Sequence, residues 1–314
     1  LKRYKTTAAV IASAICFVLL FVGGPEPGAP RTFMDAWNLG HILAFALWTT
    51  LLIRFWPACG QWPWYRRWLW VLGLAAALGS AVEVAQSFIG RMAEIGDVVR
   101  DLTGCALALA LWAPSRRQMP PKILRCLQTM ALVLLLVQVL PFLRALTDEA
   151  VAMEQFPALG TFESPFELDR WKGSAKLSID RQIKAQGHAS LKIEMDTKQY
   201  SGCALDYFPH DWRGYSFLRF SVFNPSAEPL EMTCRVNDRQ HDRDGYGFDD
   251  RFNRRILIEA GWNRFLIPIV QIEDAPRGRQ MDLTHIAGFG IFATRLPSPR
   301  TVYLDDLRLT NQQE

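Results

Sequence analysis

Between residues 83 and 104, two apolar runs are separated by Glu83, Gln86, Arg91, Glu94, Asp97, Arg100 and Asp101. Ionisable side chains that border such runs usually face a bundle interior or a water-filled cavity, where they are paired or functional. Glu83, Gln86, Ser87 and Gly90 fall at i, i+3, i+4 and i+7 of one helical face, and Asp97, Arg100, Asp101 and Gly104 repeat the spacing. Asp35, Asn38 and His41 step by three along another apolar run. Three faces can therefore meet at one polar pocket. His41 is the only histidine among the first 145 residues, and Asp35 or Glu83 could orient it as a general base. Arg91 offers a planar fork for a phosphate or carboxylate. The catalytic candidates are thus His41, Asp35, Glu83, Gln86, Arg91, Asp97 and Asp101. The competing interpretation is that these groups pair with one another and hold helices together. No serine or cysteine stands in a recognisable nucleophile setting.

A second chemistry-rich stretch runs from 238 to 255, where acids, arginines and aromatic rings alternate around Gly245 and Gly247. Aromatic faces suit the CH surface of a sugar, and Asp and Arg suit its hydroxyls. The ligand-binding candidates are Trp212, Asp238, His241, Tyr246, Phe248, Asp250 and Arg251. The same composition also suits a solvated loop between strands. Asp242, Asp244 and Asp249 are spaced in the manner of a calcium loop, but the closing bidentate glutamate is missing.

The elements that must carry these residues differ between the two halves. Residues 1–145 hold 14 Lys+Arg against 6 Asp+Glu, net +8; residues 146–314 hold 21 against 25, net −4. The basic excess belongs to the apolar half, so the overall charge gives no support to a nucleic-acid partner. Long uncharged runs occupy 6–25, 36–53, 68–82, 102–115 and 126–143. A spanning helix needs about 20 mostly apolar residues. The third run reaches that length by continuing to Ile89, and the fourth by taking 97–101 as its first turn. Lys/Arg-rich loops are cytoplasmic as a rule. The basic residues 2–5, 54–67 and 116–125 alternate with nearly neutral loops, which predicts five spans with the amino terminus inside and residues 146–314 outside. The first run has no convincing small-x-small cleavage site before Pro25 and reads as an uncleaved span.

Asp35, His41, Glu83, Gln86, Gly90-Arg91, Asp97, Asp101 and Gly104 resemble, in order, spacing and topology, the VanZ-like family of bacterial membrane proteins, over roughly residues 7–115. Two positions depart from that pattern: Ala36 replaces a common lysine, and Asp101 a common asparagine. The resemblance implies a role in the cell envelope more strongly than it implies any reaction.

From 161 onward the pattern changes to short alternating runs at 175–179, 190–195, 202–208, 217–224, 231–237, 255–259, 264–270, 286–294 and 302–309. Strands of that length, separated by Gly, Pro, Asn or Asp, predict a sandwich or jelly roll, with Leu218, Phe220 and Val222 facing its core. Phe162-Glu163, Gly187, Ser190-Leu191-Lys192, Asp211-Trp212, Gly214-Tyr215, Gly261-Trp262-Asn263 and Tyr303 to Leu307 resemble the galactose-binding-like group of jelly-roll carbohydrate-binding modules. Together with hard-oxygen ligand chemistry, the resemblance implies a structural calcium on Glu163 and Asp306. Cys203 and Cys234 are the only cysteines of this half, and the sequence leaves open whether they are bridged.

The expected protein is multi-domain: an α-helical transmembrane bundle of five spans (1–145), a juxtamembrane linker (146–160) and an exported all-β jelly-roll sandwich (161–314). Its expected place is the bacterial cytoplasmic membrane, and its expected partners are membrane lipid, a lipid-linked glycan and envelope polysaccharide. The expected function is recognition of an envelope glycan or lipid-linked saccharide, with its modification left open. The alternative is a non-enzymatic membrane-anchored scaffold. A transporter is disfavoured because the polar positions cluster at one side and not at the midplane.

Overall fold

The computed structural model describes residues 2–21, 25, 29–88, 94–245 and 247–312. They divide into two units, Leu1–Ala145 and Leu146–Glu314.

The first unit is helical: α1 (Lys2–Phe21), α2 (Arg31–Phe55), the short α3 (Pro57–Gln61), α4 (Trp64–Ser87), α5 (Ile95–Leu107) and the first part of α6 (Pro121–Gln155). Prolines mark the starts: Pro30 precedes α2, Pro57 opens α3, Pro63 precedes α4 and Pro121 opens α6. A proline lacks the N–H that a first turn leaves unbonded anyway, so it starts a helix at little cost. Among the described residues three helices are long and apolar enough to cross a membrane, Arg31–Phe55, Trp64–Gln86 and Pro121–Gln155. α5 is 13 residues long and passes into a π turn at Ala108–Trp112, so length and composition alone carry fewer than the five expected spans. Leu43, Leu69, Trp70, Leu136 and Val137 are exposed on this unit, an apolar surface that water would not favour. Its interior is built around α5. Gly104, Cys105, Ala106, Ala108 and Ala110 are buried, and a Cβ on Gly104 would overlap the Ile42 carbonyl of α2. Small residues allow this close approach of helix backbones. The Thr49 hydroxyl of α2 donates to Cys105 Sγ at 3.1 Å.

The second unit is a β-sandwich. Its strands are β1 (Ala158–Gly160), β2 (Trp171–Gly173), β3 (Lys176–Asp180), β4 (Ser190–Met195), β5 (Tyr200–Leu205), β6 (Phe217–Asn224) and β7 (Leu230–Asp238). After α7 (Arg239–Arg243) come β8 (Phe252–Ile258), β9 (Gly261–Pro268), α8 (Ile269–Glu273), β10 (Ile286–Thr294) and β11 (Arg300–Thr310). One sheet has the order β3-β4-β11-β6-β9, with β1 also on β11; the other runs β2-β5-β10-β7-β8, and these neighbours pair antiparallel. Alternate residues point inward, as a pleated strand dictates. Leu191, Ile193, Leu218, Phe220, Val222 and Leu304 of the first sheet join Leu205, Met232, Cys234, Val236, Phe289 and Ile291 of the second in one core.

The linker expected at 146–160 is instead the last turns of α6 followed by β1. A buried charge network explains the helix there. Arg170 Nε donates to Asp148 Oδ1 at 2.8 Å, and Arg170 Nη1 to Gln155 Oε1 at 3.2 Å. Glu167, also buried, accepts from the backbone N–H groups of Thr161 and Phe162 at 2.8 and 2.6 Å and from Gln155 Nε2 at 3.2 Å.

Candidate functional site

In the helical unit, His41 of α2 reaches both acids of α5. Its Nδ1 is 2.9 Å from Asp101 Oδ1, and its Nε2 is 3.7 Å from Asp97 Oδ2. α4 is tied to the same place: Glu83 Oε2 accepts the Glu94 backbone N–H at 2.6 Å. Arg100 pairs with Asp97 and lies 3.9 Å from Glu94. Asp101 fits because Gly79 faces it; a Cβ there would collide with its carboxylate. His41, Glu83, Gln86 and Asp101 are all buried. Asp35 is half-buried on α2, six residues before His41. Arg91 and Gly90 lie outside the described residues. The structure thus brings His41 of α2 to Asp97 and Asp101 of α5 and ties Glu83 of α4 to the residue before α5. Asp97 and Asp101 are paired with Arg100 and His41, and Glu83 accepts a backbone N–H. A separate cleft of 630 Å3 in this unit is lined by Phe17, Trp48, Leu52, Leu74 and Leu78, and it offers little to orient a polar ligand.

In the sandwich, the outer face of the sheet β2-β5-β10-β7-β8 carries a groove of 720 Å3. Its floor is low where β5 and β10 present Gly202, Ala204 and Gly290. Gly290 of β10 lies between Ala204 of β5 and Arg235 of β7, and Gly288 lies beside Asn237. One row further along, Phe292 pairs with Gly202 on one side and Thr233 on the other, and Thr233 pairs with Arg255 of β8. A Cβ on Gly202 would collide with the Ile291 carbonyl and with Cα and Cβ of Phe292, so the glycine lets the β5 and β10 backbones approach closely. Tyr200, at the start of β5, packs edge-on against Phe292 with ring centroids 5.8 Å apart. Phe248 and Arg251 from the loop before β8 close the other side, the guanidinium 5.7 Å above the Phe248 ring. Tyr200 and Phe248 are 58% and 68% exposed, far more than a core requires. Flat exposed rings over a glycine floor, flanked by Arg, Asn, Thr and Glu, form a surface on which a pyranose chain can stack and hydrogen-bond.

Of the seven residues expected to bind ligand, Phe248 and Arg251 line this groove. Trp212 does not: it is fully buried 5.9 Å from Phe208, and its indole fills the core. Asp238, His241 and Asp250 brace the loop. Arg279 Nη1 donates to Asp238 Oδ2 and Nε to Asp250 Oδ1, both at 2.6 Å, while Nη2 reaches both carboxylates. Asp238 also caps α7 through His241 N at 3.0 Å, and His241 Nδ1 lies 3.5 Å from Asp250. Burial pushes the Asp238 carboxyl up, but Arg279 and the N–H groups of Asp282 and His241 outweigh it and hold it below the usual range. The Arg279 bonds likewise hold Asp250 low. Tyr246 lies outside the described residues. Sequence reasoning missed Tyr200, Phe292, Arg235, Arg255, Thr233 and Asn253. The signal was the outward register of β5 and β10, where Tyr-x-Gly-x-Ala and Gly-x-Gly-x-Phe alternate with apolar core residues.

The Glu163 and Asp306 pair does not fit calcium. Asp306 bonds Arg219 at 2.9 Å and also pairs with Arg308, so its charge is already met. Glu163 accepts the backbone N–H groups of His188 and Ala189 at 2.6 and 3.2 Å. Asp305, not Asp306, grips the same loop, through Ala185 N and Gln186 N at 2.7 and 3.0 Å. Among the described residues no cluster of three His, Cys, Asp or Glu side chains is placed to hold a metal, the run 242–249 included. Cys203 and Cys234 both pair with Ile291 from opposite sides, so β10 lies between them. Two strand spacings amount to about 9.6 Å, beyond the roughly 7 Å limit of a disulfide.

Residues 155–311 match the family described as Carbohydrate binding domain 30. No curated protein matches the chain. Among solved structures, the chain is similar to a family 11 carbohydrate-binding module from Clostridium thermocellum in complex with a β-1,3-1,4-mixed-linked tetrasaccharide. The identity is 17%, with 50% of this chain and 96% of that one covered, at a TM-score of 0.38. A family 30 carbohydrate-binding module of a cellulosomal cellulase from the same organism is 16% identical, covering 46% and 93%, at a TM-score of 0.35. An exo-beta-agarase is 18% identical at a TM-score of 0.40; half of this chain is covered but only 25% of the agarase.

Proposed function

Because the chain belongs, over residues 155–311, to the family Carbohydrate binding domain 30, we propose that it is a membrane-anchored receptor for a polysaccharide of the bacterial envelope. The observation that carries this reading is the groove on the outer sheet face, with Tyr200 and Phe248 exposed and Phe292 half-buried over a floor of Gly202, Ala204 and Gly290. Aromatic rings anchor ligands well because they bring a large flat contact area at little entropic cost. In this reading the helical unit crosses the inner membrane five times, with the amino terminus in the cytoplasm and the sandwich outside. The alternating basic loops support that arrangement, and three of the described helices are long and apolar enough to span. The similarity of residues 35–104 to the VanZ-like pattern suggests that the polar cluster faces a lipid-linked saccharide head group. The mutual pairing of His41, Asp97, Asp101 and Arg100 favours anchoring and recognition over modification.

Binding is measured with the full chain in detergent against a panel of polysaccharides, by affinity electrophoresis or calorimetry. Tyr200→Ala and Phe292→Ala should each weaken binding by about 1–3 kcal/mol, as truncation of a contact anchor does, with melting temperature little changed. If the unmodified chain retains no polysaccharide, the reading fails.

A further inference from the structure

We propose that the groove selects an anionic polysaccharide, one carrying carboxylate, sulfate or phosphate groups, and that Arg235 and Arg251 bind the anionic oxygens. The inference rests on the glycan reading and narrows it to a ligand class. The groove is lined by Arg235, Arg251 and Arg255 against a single acid, Glu231. Glu231 is engaged by Arg255, with Nη1 to Oε1 at 3.5 Å. That leaves Arg235 and Arg251 with no carboxylate in salt-bridge range among the described residues. The Nε of each is shut off from solvent and has no hydrogen-bond partner there.

Two guanidinium groups in this state are costly. A buried donor without an acceptor forfeits its hydration, and like charges side by side repel. Burial, and next to it the charge of Arg235, hold the Arg251 guanidinium below its ordinary range. Arg279, on the loop before β10, makes an internal contrast. It satisfies two carboxylates, and those bonds push its guanidinium the other way. The fold can thus supply acids where an arginine is structural, and it supplies none to the pair in the groove. A neutral sugar would be served by the rings, Asn253 and Thr233 alone. Planar forks facing an open groove match the oxygens of a carboxylate or of a sulfate or phosphate ester, which accept two parallel N–H bonds.

The test uses the full chain in detergent at about 50 mM salt, where surface charge is not fully screened. The probes are polygalacturonate for carboxylate, dextran sulfate for sulfate ester and phosphomannan for phosphate ester. Dextran and mixed-linked β-1,3-1,4-glucan are the neutral counterparts. The expected result is that at least one anionic polymer binds the unmodified chain about tenfold or more tighter than either neutral one. For that polymer, R235Q and R251Q should each lose about tenfold, and R251K several-fold, because a lysine keeps the charge and loses the fork. R181Q, on the exposed loop after β3, serves as the control and should lose less than about twofold. Which polymer wins identifies the anion. A neutral polymer bound as tightly, and indifferent to R235Q and R251Q, overturns the anionic selection and leaves glycan recognition standing. An equal loss in R181Q marks general attraction to polyanions and also overturns it. Binding of none of the five polymers overturns both the selection and the reading beneath it. The preference is read on the unmodified chain, so a variant that fails to fold does not remove the test.

Discussion

Arg279 holds two carboxylates that lie 12 residues apart in the chain, Asp238 at the end of β7 and Asp250 before β8. Asp238 is fully buried, so removing its partner strands a charge. Arg279→Met should cost about 3–5 kcal/mol in a thermal or denaturant melt. The pH dependence follows from the same bonds. Both carboxyls are held below their unfolded values, so their contribution is complete above the unfolded carboxylate pKa and is lost as pH falls through the folded one. The unmodified sandwich should therefore gain stability between about pH 3 and pH 5, and Arg279→Met should flatten that rise. A variant as steep as the parent would show that the clasp contributes nothing in solution. The density of Asp, Arg and aromatic residues at 238–255 was visible in the sequence, but its division of labour was not. Asp238 and Asp250 are answered by an arginine 41 and 29 residues away, and no local pattern reveals that. Phe248 and Arg251, which the same composition singled out, remain on the groove because nothing reaches across to claim them.

Strands were more legible than the surface they build. Each of the nine runs of alternating residues corresponds to a strand, and Ser190–Met195, Phe217–Asn224 and Ile286–Thr294 agree to the residue. β1 and β2 were not seen, since three residues are too few to show a period of two. The groove escaped for a different reason: its floor consists of side chains that are missing. Glycine in a strand signals a close approach of backbone or ligand, but only the order β5-β10-β7 shows that Gly202, Gly290 and Arg235 form neighbouring rows. Gly202→Ala tests the packing half of this argument. Its Cβ would press on Phe292 and the β10 backbone, so the variant should lose about 1–3 kcal/mol of stability and weaken binding along with it. A variant of parental stability would mean that the β5 and β10 backbones separate at little cost.

At the scale of the whole molecule, the two halves differ in net charge by sign as well as in composition, +8 against −4. If the helical unit spans the membrane five times, an engineered cysteine at Glu314 should be labelled by a reagent that cannot enter the cell, and one beside Lys2 should not. Labelling of Lys2 alone would reverse the orientation and place the sandwich in the cytoplasm. The end of α6 bears on where the sandwich can be cut. Asp148 and Gln155 belong to the helix, yet they bond Arg170 of the sandwich, which is 1% exposed. A fragment beginning at 161, where strand-like alternation starts, leaves Arg170 with neither partner; one beginning at 146 keeps both. The shorter fragment should be less stable by about 3–5 kcal/mol, read by denaturant melts of the two side by side, and equal stability would make the helical turns dispensable. Portability is then limited by a residue that no strand contains. A gene fusion or a recombination event that transplants only the β-strands delivers a broken ion pair, whereas one that begins at 146 delivers a module able to be joined to another anchor.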